Sequence, residues 1–177
     1  MSSPELRLEL SKRNDGGTAL RWVRANGTDA FQRHHGKTAQ FFPLHDLAHY
    51  SVETVLGTRQ GFFGLLADGW ELADIGGKGP RGPLPPEAIV VEHLVGILDR
   101  QRTISAVELN EHVELLVQTK AIATDRRFSE QEVADVRELM DRAQAEWIAL
   151  PPGGTMVLDY DRGEPAGTNP AARSSHG

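Results

Sequence analysis

A period-2 alternation opens the chain: residues 5 to 10 read Glu, Leu, Arg, Leu, Glu, Leu. Strict alternation puts every leucine on one face of an extended segment and every charge on the other, so this stretch must be a strand with one buried and one wet face. Turn residues follow at Asn14-Asp15-Gly16-Gly17, and then TALRWVR over residues 18 to 24, with Leu20 and Trp22 on one side and Arg21 on the other. Asn26-Gly27 is the strongest short hairpin signal in the chain, because both residues tolerate positive φ, and a third strand is expected through Phe31 to about Arg33. Such a meander is marginal alone, so one face must lie on helices.

Those helices are legible as a change of period. Pro43 suits a first helical position, where its missing N–H costs nothing, and predicts a helix from about Leu44 to Leu56 ended by Gly57. A second short helix is expected within Arg59 to Trp70, where Phe62, Phe63, Leu65 and Leu66 are apolar although Gly61, Gly64 and Gly69 weaken it. GGKGPRGPLPP, residues 76 to 86, reads as a surface loop. A helix from about Pro86 to Arg102 should bury Ile89, Val90, Leu94, Ile97 and Leu98, and two more open with the capping boxes Ser105-x-x-Glu108 and Ser129-x-x-Glu132. In the last, Val133, Val136, Met140, Ala143 and Trp147 form a packing stripe. The expected fold is α+β, an N-terminal antiparallel β-meander of about three strands packed on a bundle of about five helices. It forms a single domain over residues 1–150. After Pro151-Pro152-Gly153-Gly154 the composition turns to small and polar residues, so 151–177 is expected to be a flexible C-terminal tail, with a short strand at Met156 to Tyr160 as its one candidate element.

Composition narrows the function classes. With 177 residues and a net charge of -6, the basic residues scattered among acids, the chain lacks the concentrated Lys and Arg that nucleic acid requires. It has no cysteine, so it offers no thiolate nucleophile, and any metal must be held by His, Asp, Glu or water. MSSPELRLEL is no signal peptide and no window approaches a membrane span, which predicts a soluble, cytoplasmic protein. A small-molecule ligand or substrate and a homo-oligomer are both compatible with this composition. The glycines of residues 76 to 82 do not make a phosphate loop, since Gly77-Lys78 is not followed by Ser or Thr.

The least replaceable chemistry lies in FFPLHDLAHYSVE, residues 41 to 53. His45 and His49 have the i, i+4 spacing by which a helix offers two imidazoles to one metal ion. On a wheel at roughly 100° per residue, Leu44, Leu47, Ala48, Val52 and Val55 form the apolar face, the histidines sit on its shoulder, and Asp46 and Glu53 fall next on the polar side. An early helix position would keep His45 neutral, because the positive end of the macrodipole disfavours imidazolium. Asp46 and Glu53 are the candidate catalytic acids. Asp46 occupies the place that Glu holds in HExxH zinc sites, one methylene shorter, while Glu53 is a strained direct ligand but can orient His49 through its second ring nitrogen.

Two histidines need a third ligand to hold a divalent ion, with zinc first and manganese or iron as alternatives. The candidates are the pair His34 and His35, Glu92 and His93 on one helix, and Glu111 and His112 on another. His93 stands out because it lies four residues from both Ile89 and Ile97, on the core side of its helix, where an imidazole must find a partner.

The string F-P-x-H-D-L-x-H-Y-x-V-E, Phe42 to Glu53, followed by G-F-F-G-L-x-A-x-G-W from Gly61, resembles a small family of uncharacterised bacterial proteins over most of the chain up to about residue 100. That resemblance implies no activity. Local likeness extends to two further families. HD-type metal phosphohydrolases are similar at His45-Asp46, with His34 or His35 in place of their upstream histidine and Asp99 of their distant aspartate, although the upstream spacing is shorter and a leading β-meander is foreign to their helical fold. The ubiquinone-biosynthesis accessory family is similar at His45, Asp46 and His49, but has a Glu where this chain has Gly61. Two functional expectations follow. One is a metal protein built on His45 and His49, in the form of a metal-dependent hydrolase. The other is a non-catalytic interaction or ligand-sensing domain, in which the same His, Asp and Glu residues brace the first helix by hydrogen bonds.

Overall fold

The computed structural model describes residues 4–162. The leucine alternation forms strand β1 (Leu6–Lys12), which pairs antiparallel with β2 (Thr18–Arg24), and β2 in turn pairs with β3 (Asp29–His34). The turn between β2 and β3 differs from the two-residue expectation. Arg24 N–H donates to Thr28 O, so Ala25, Asn26 and Gly27 form a three-residue loop in which Gly27 alone carries positive φ, at 83°. Asn26 accepts from Thr28 N–H through its side chain instead of adopting the left-handed region. This is the type I turn with a following glycine bulge, the next commonest hairpin connection.

Six helices follow in sequence: α1 (Lys37–Leu56), α2 (Phe62–Ala67), α3 (Leu72–Ile75), α4 (Pro86–Arg100), α5 (Ala106–Lys120) and α6 (Glu130–Ala149). The chain then returns to the sheet as β4 (Thr155–Tyr160), antiparallel to β1, giving the order β3-β2-β1-β4. The fold is α+β as expected, with one helix more than the expected five, the single turn α3. The tail boundary needs correction. The candidate strand at Met156 to Tyr160 forms, as residues 155–160, and it belongs to the sheet and not to a tail, with Met156 opposite Leu10 and Tyr160 opposite Leu6. Residues 163–177, the rest of the expected tail, lie outside the described residues. Pairing with β1, a partner about 150 residues away, is a tertiary gain that local composition does not reveal.

Registers set the buried face of the sheet in rows: Leu10 between Leu20 and Met156, Leu8 between Trp22 and Leu158, Leu6 between Arg24 and Tyr160. Leu6 and Leu8 are fully buried, while the opposite face carries the cross-strand pairs Arg7–Asp159 and Arg21–Glu9. Arg24 is the exception on the buried face. Its guanidinium donates to the carbonyls of Leu66 and Trp70 and pairs with Glu71, tying the end of α2 to the sheet.

α1 is the central element, and it starts earlier than predicted. Pro43 sits inside it, not at its first turn, because Ala39 and Pro43 are both buried, and tertiary packing outweighs a local penalty of about 3 kcal/mol. One core packs the sheet against Leu47, Phe63, Leu66, Ala143 and Trp147. A second lies between helices and joins Ala48, Val52 and Leu56 of α1 to α4, α5 and α6. Both predicted capping boxes form, with Glu108 N–H and Glu132 N–H each 3.2 Å from the serine hydroxyl that precedes its helix. The α6 stripe from Val133 to Trp147 is buried throughout. No helix among the described residues is long and apolar enough to cross a membrane.

Candidate metal centre

His45 and His49 project from the middle of α1 with their ring centroids 4.8 Å apart, edge to face. The helix macrodipole does not act on His45, since α1 begins at Lys37 and His45 is about two turns inside it, beyond the reach of the end charge. The His45 pKa is nevertheless lowered, by burial and then by the charge of His49. Phe41 stacks on His45 at 5.2 Å and Phe62 of α2 lies 5.3 Å from His49, so apolar rings flank the pair.

The residue that completes the group is Glu92 of α4. One carboxylate oxygen is 3.1 Å from His49 Nε2 and the other 3.9 Å from His45 Nε2, and the three groups offer ligand atoms all within 4.8 Å of one another. His93, the expected third ligand, does not take part. Residues 92 and 93 point about 100° apart on a helix, and α4 is rotated so that Glu92 faces α1 while His93 faces His112 of α5, with ring centroids 6.3 Å apart. His34 is buried elsewhere, stacked on Phe42 at 4.2 Å.

Glu53 requires a correction of role. Its side chain is fully buried, its oxygens are engaged by protein groups, and it is not part of the cavity wall. His49 Nδ1 lies 3.2 Å from Glu53 Oε1, Phe63 N–H and Gly64 N–H donate to Glu53 Oε2 at 3.0 and 3.2 Å, and the Tyr160 hydroxyl is 3.4 Å from the same oxygen. That hydroxyl is also 3.3 Å from Thr58 O and has one proton to share between them. Gly61 permits this packing, because a Cβ there would stand 2.4 Å from the Glu53 carboxylate. Glu53 is therefore a positioning residue that holds His49 from behind, as carboxylates commonly hold metal-binding histidines.

Charge follows from this arrangement. Burial pushes the His49 pKa down, but two hydrogen-bonded carboxylates outweigh it and raise the pKa to about 9, so the metal-free ring carries a proton on each nitrogen. The same hydrogen bond from His49 holds Glu92 below the ordinary carboxylate range. Asp46, only 5 % exposed, is raised by burial to about 7. It lines a cavity of about 250 Å3 together with His45, His49 and Glu92, so the structure brings Asp46 to the pair while Glu53 lies behind it.

Two participants were not anticipated from sequence. Tyr160 fell in the expected tail, although Met156, Leu158 and Tyr160 alternate as a strand should. Gln32, whose side chain joins the cavity wall, alternates with Ala30 and His34 on the inner face of β3 and carries no other signal. Comparison with protein-family models, curated proteins and solved structures returns no match for this chain, so its function must be read from geometry.

Proposed function

We propose that the protein holds one divalent metal ion through His45 Nε2, His49 Nε2 and the Glu92 carboxylate, and that it is a metal-dependent hydrolase of a small molecule. The observation that carries this reading is the convergence of those three groups within 4.8 Å, with a buried carboxylate on the far nitrogen of His49. Two histidines and one carboxylate make the ligand set of open catalytic zinc sites, and the same set with more open positions suits iron. Zinc is the first choice, manganese and iron the alternatives. A ligand position left open would face the cavity, where Asp46 is placed to accept or donate a proton.

A second reading is favoured by one specific observation. Without metal, His49 already makes two hydrogen bonds, to Glu53 and Glu92, so the cluster can serve as a bracing network between α1, α2 and α4 in a non-catalytic binding domain. The two readings separate in one experiment on protein purified without a histidine tag. Stoichiometric zinc, manganese or iron that disappears in the His45→Ala/His49→Ala variant supports the metal centre. A metal-free protein that takes up none from solution, and whose melting temperature ignores chelator, supports the network.

A further inference from the structure

The walls of the His45/His49 cavity discriminate among substrates. Resting on the metal-centre reading, we infer that its occupant is a small uncharged compound with a carbonyl-type oxygen and an apolar body of about one ring, and not a phosphate ester.

Three observations lead there. First, Phe42, Phe62, Leu72 and Ile75 form the apolar part of the wall, and beside the proposed ligands the polar groups are the Gln32 amide and the Asp46 carboxyl. An amide is a donor and an acceptor in one group, which matches a neutral polar substituent. Secondly, no Lys or Arg lines the cavity among the described residues. The arginines of neighbouring segments are committed elsewhere: Arg24 to the carbonyls of Leu66 and Trp70, Arg81 to Asp74 and the face of Trp70, Arg33 to Phe31. Phosphoryl transfer depends on several cationic partners for the oxygens that gain charge. Here a divalent ion would already share its charge with Glu92, and Asp46 lines the same cavity. A phosphate dianion would meet more carboxylates than cations. Thirdly, the cavity volume of about 250 Å3 is below the roughly 300–1,000 Å3 usual for drug-sized ligands. A cavity of that volume holds a group of about one ring, so the part of a ligand that enters it is small.

The test uses the full chain loaded with zinc, its metal content measured first. Benzohydroxamic acid, acetohydroxamic acid and phenyl phosphate are then titrated calorimetrically at pH 7. The ring of benzohydroxamic acid should add at least tenfold in affinity over acetohydroxamic acid, and phenyl phosphate should bind at least tenfold more weakly than benzohydroxamic acid. In Leu72→Asp, checked by its melting curve and zinc content, the ring's gain should vanish. A margin below tenfold in either comparison, or a gain retained in Leu72→Asp, overturns the inference. The outcomes separate the two readings. Failure to hold zinc takes down the metal centre and the substrate class together, whereas bound zinc without the hydroxamate preference takes down the substrate class alone.

Discussion

Two histidine pairs among the described residues, one within α1 and one between α4 and α5, set His49 and His93 in opposite electrostatic surroundings. His45 and His49 lie on one helix among three carboxylates; His93 and His112 bridge α4 and α5 with no carboxylate hydrogen-bonded to His93. In the first pair the pKa of His49 is raised to about 9, while in the second His93 is lowered by burial and then by the charge of His112, and its Nε2 is buried without a hydrogen-bond partner among the described residues. Burial acts in the same direction on both. Placement of acids therefore decides whether a buried histidine holds its proton, as His49 does beside Glu53 and Glu92, or stays neutral, as His93 does.

The largest effect should come from removing the acid that distinguishes the pairs. Glu53→Ala strands the His49 ring and leaves Phe63 and Gly64 N–H without their acceptor. Breaking a buried charged pair from one side costs about 3–5 kcal/mol, read as a shift in the urea midpoint at unchanged slope. A loss under 1 kcal/mol would mean that the carboxylate is not the centre's anchor.

Next is metal affinity. His45→Ala/His49→Ala should weaken zinc binding by at least about 100-fold, since two of the three proposed ligands are gone. His93→Ala/His112→Ala should leave it within about twofold, because no ligand role attaches to that pair. If both double variants lose zinc equally, the distinction between the pairs is void and the metal lies elsewhere.

How much of this contrast could be read from the amino-acid order depends on distance along the chain. The strands of the meander, the capping boxes at Ser105 and Ser129, and the pairing of His45 with His49 are local patterns of two to four residues, and each is visible in the sequence. Asp46 and Glu53 looked exposed because a wheel assumes one buried face. α1 is enclosed by the sheet, α2, α4 and α6, so its polar side is a second interface. The choice of Glu92 over His93 turns on the rotation of α4 about its own axis, which depends on packing against both α1 and α5. β4 was legible as a short strand at Met156 to Tyr160, but its pairing with β1 was not, because the partner lies at the other end of the chain.

A pH series sharpens the comparison with a smaller effect. The folded pKa of His49, about 9, lies above the ordinary 6.5, so its contribution to the stability of the metal-free protein is complete below pH 6.5 and is lost as pH rises through 9. Asp46, raised from 3.8 to about 7, penalises ionisation in the lower window, so pH 7 to 9 reports mainly His49. The melting temperature of the metal-free protein should fall across that range and stay flat in His49→Gln. His93 has the reverse sign: with a lowered pKa it contributes above pH 6.5 and loses that contribution as pH falls. A melting temperature that rises from pH 7 to 9 in the wild type contradicts the assignment of His49.

The smallest effect expected is also the one that reaches furthest through the fold. Tyr160 on β4 touches Glu53, Glu53 holds His49, and His49 is a proposed ligand of the ion, so the last strand should influence the centre through two intermediates. Tyr160→Phe keeps the ring against Phe63, 5.8 Å away, and removes only a long hydrogen bond of 3.4 Å. A bond that long, with Phe63 and Gly64 N–H still in place, should cost about 1 kcal/mol of stability. Altering a carboxylate that directly orients a metal-binding histidine costs about 10–100-fold in affinity, so one step further out the loss of zinc affinity should stay below tenfold. A larger loss would mean that Tyr160, not the α2 backbone, holds Glu53. No change in affinity alongside the stability loss would assign the positioning of Glu53 wholly to Phe63 and Gly64, and confine β4 to the sheet.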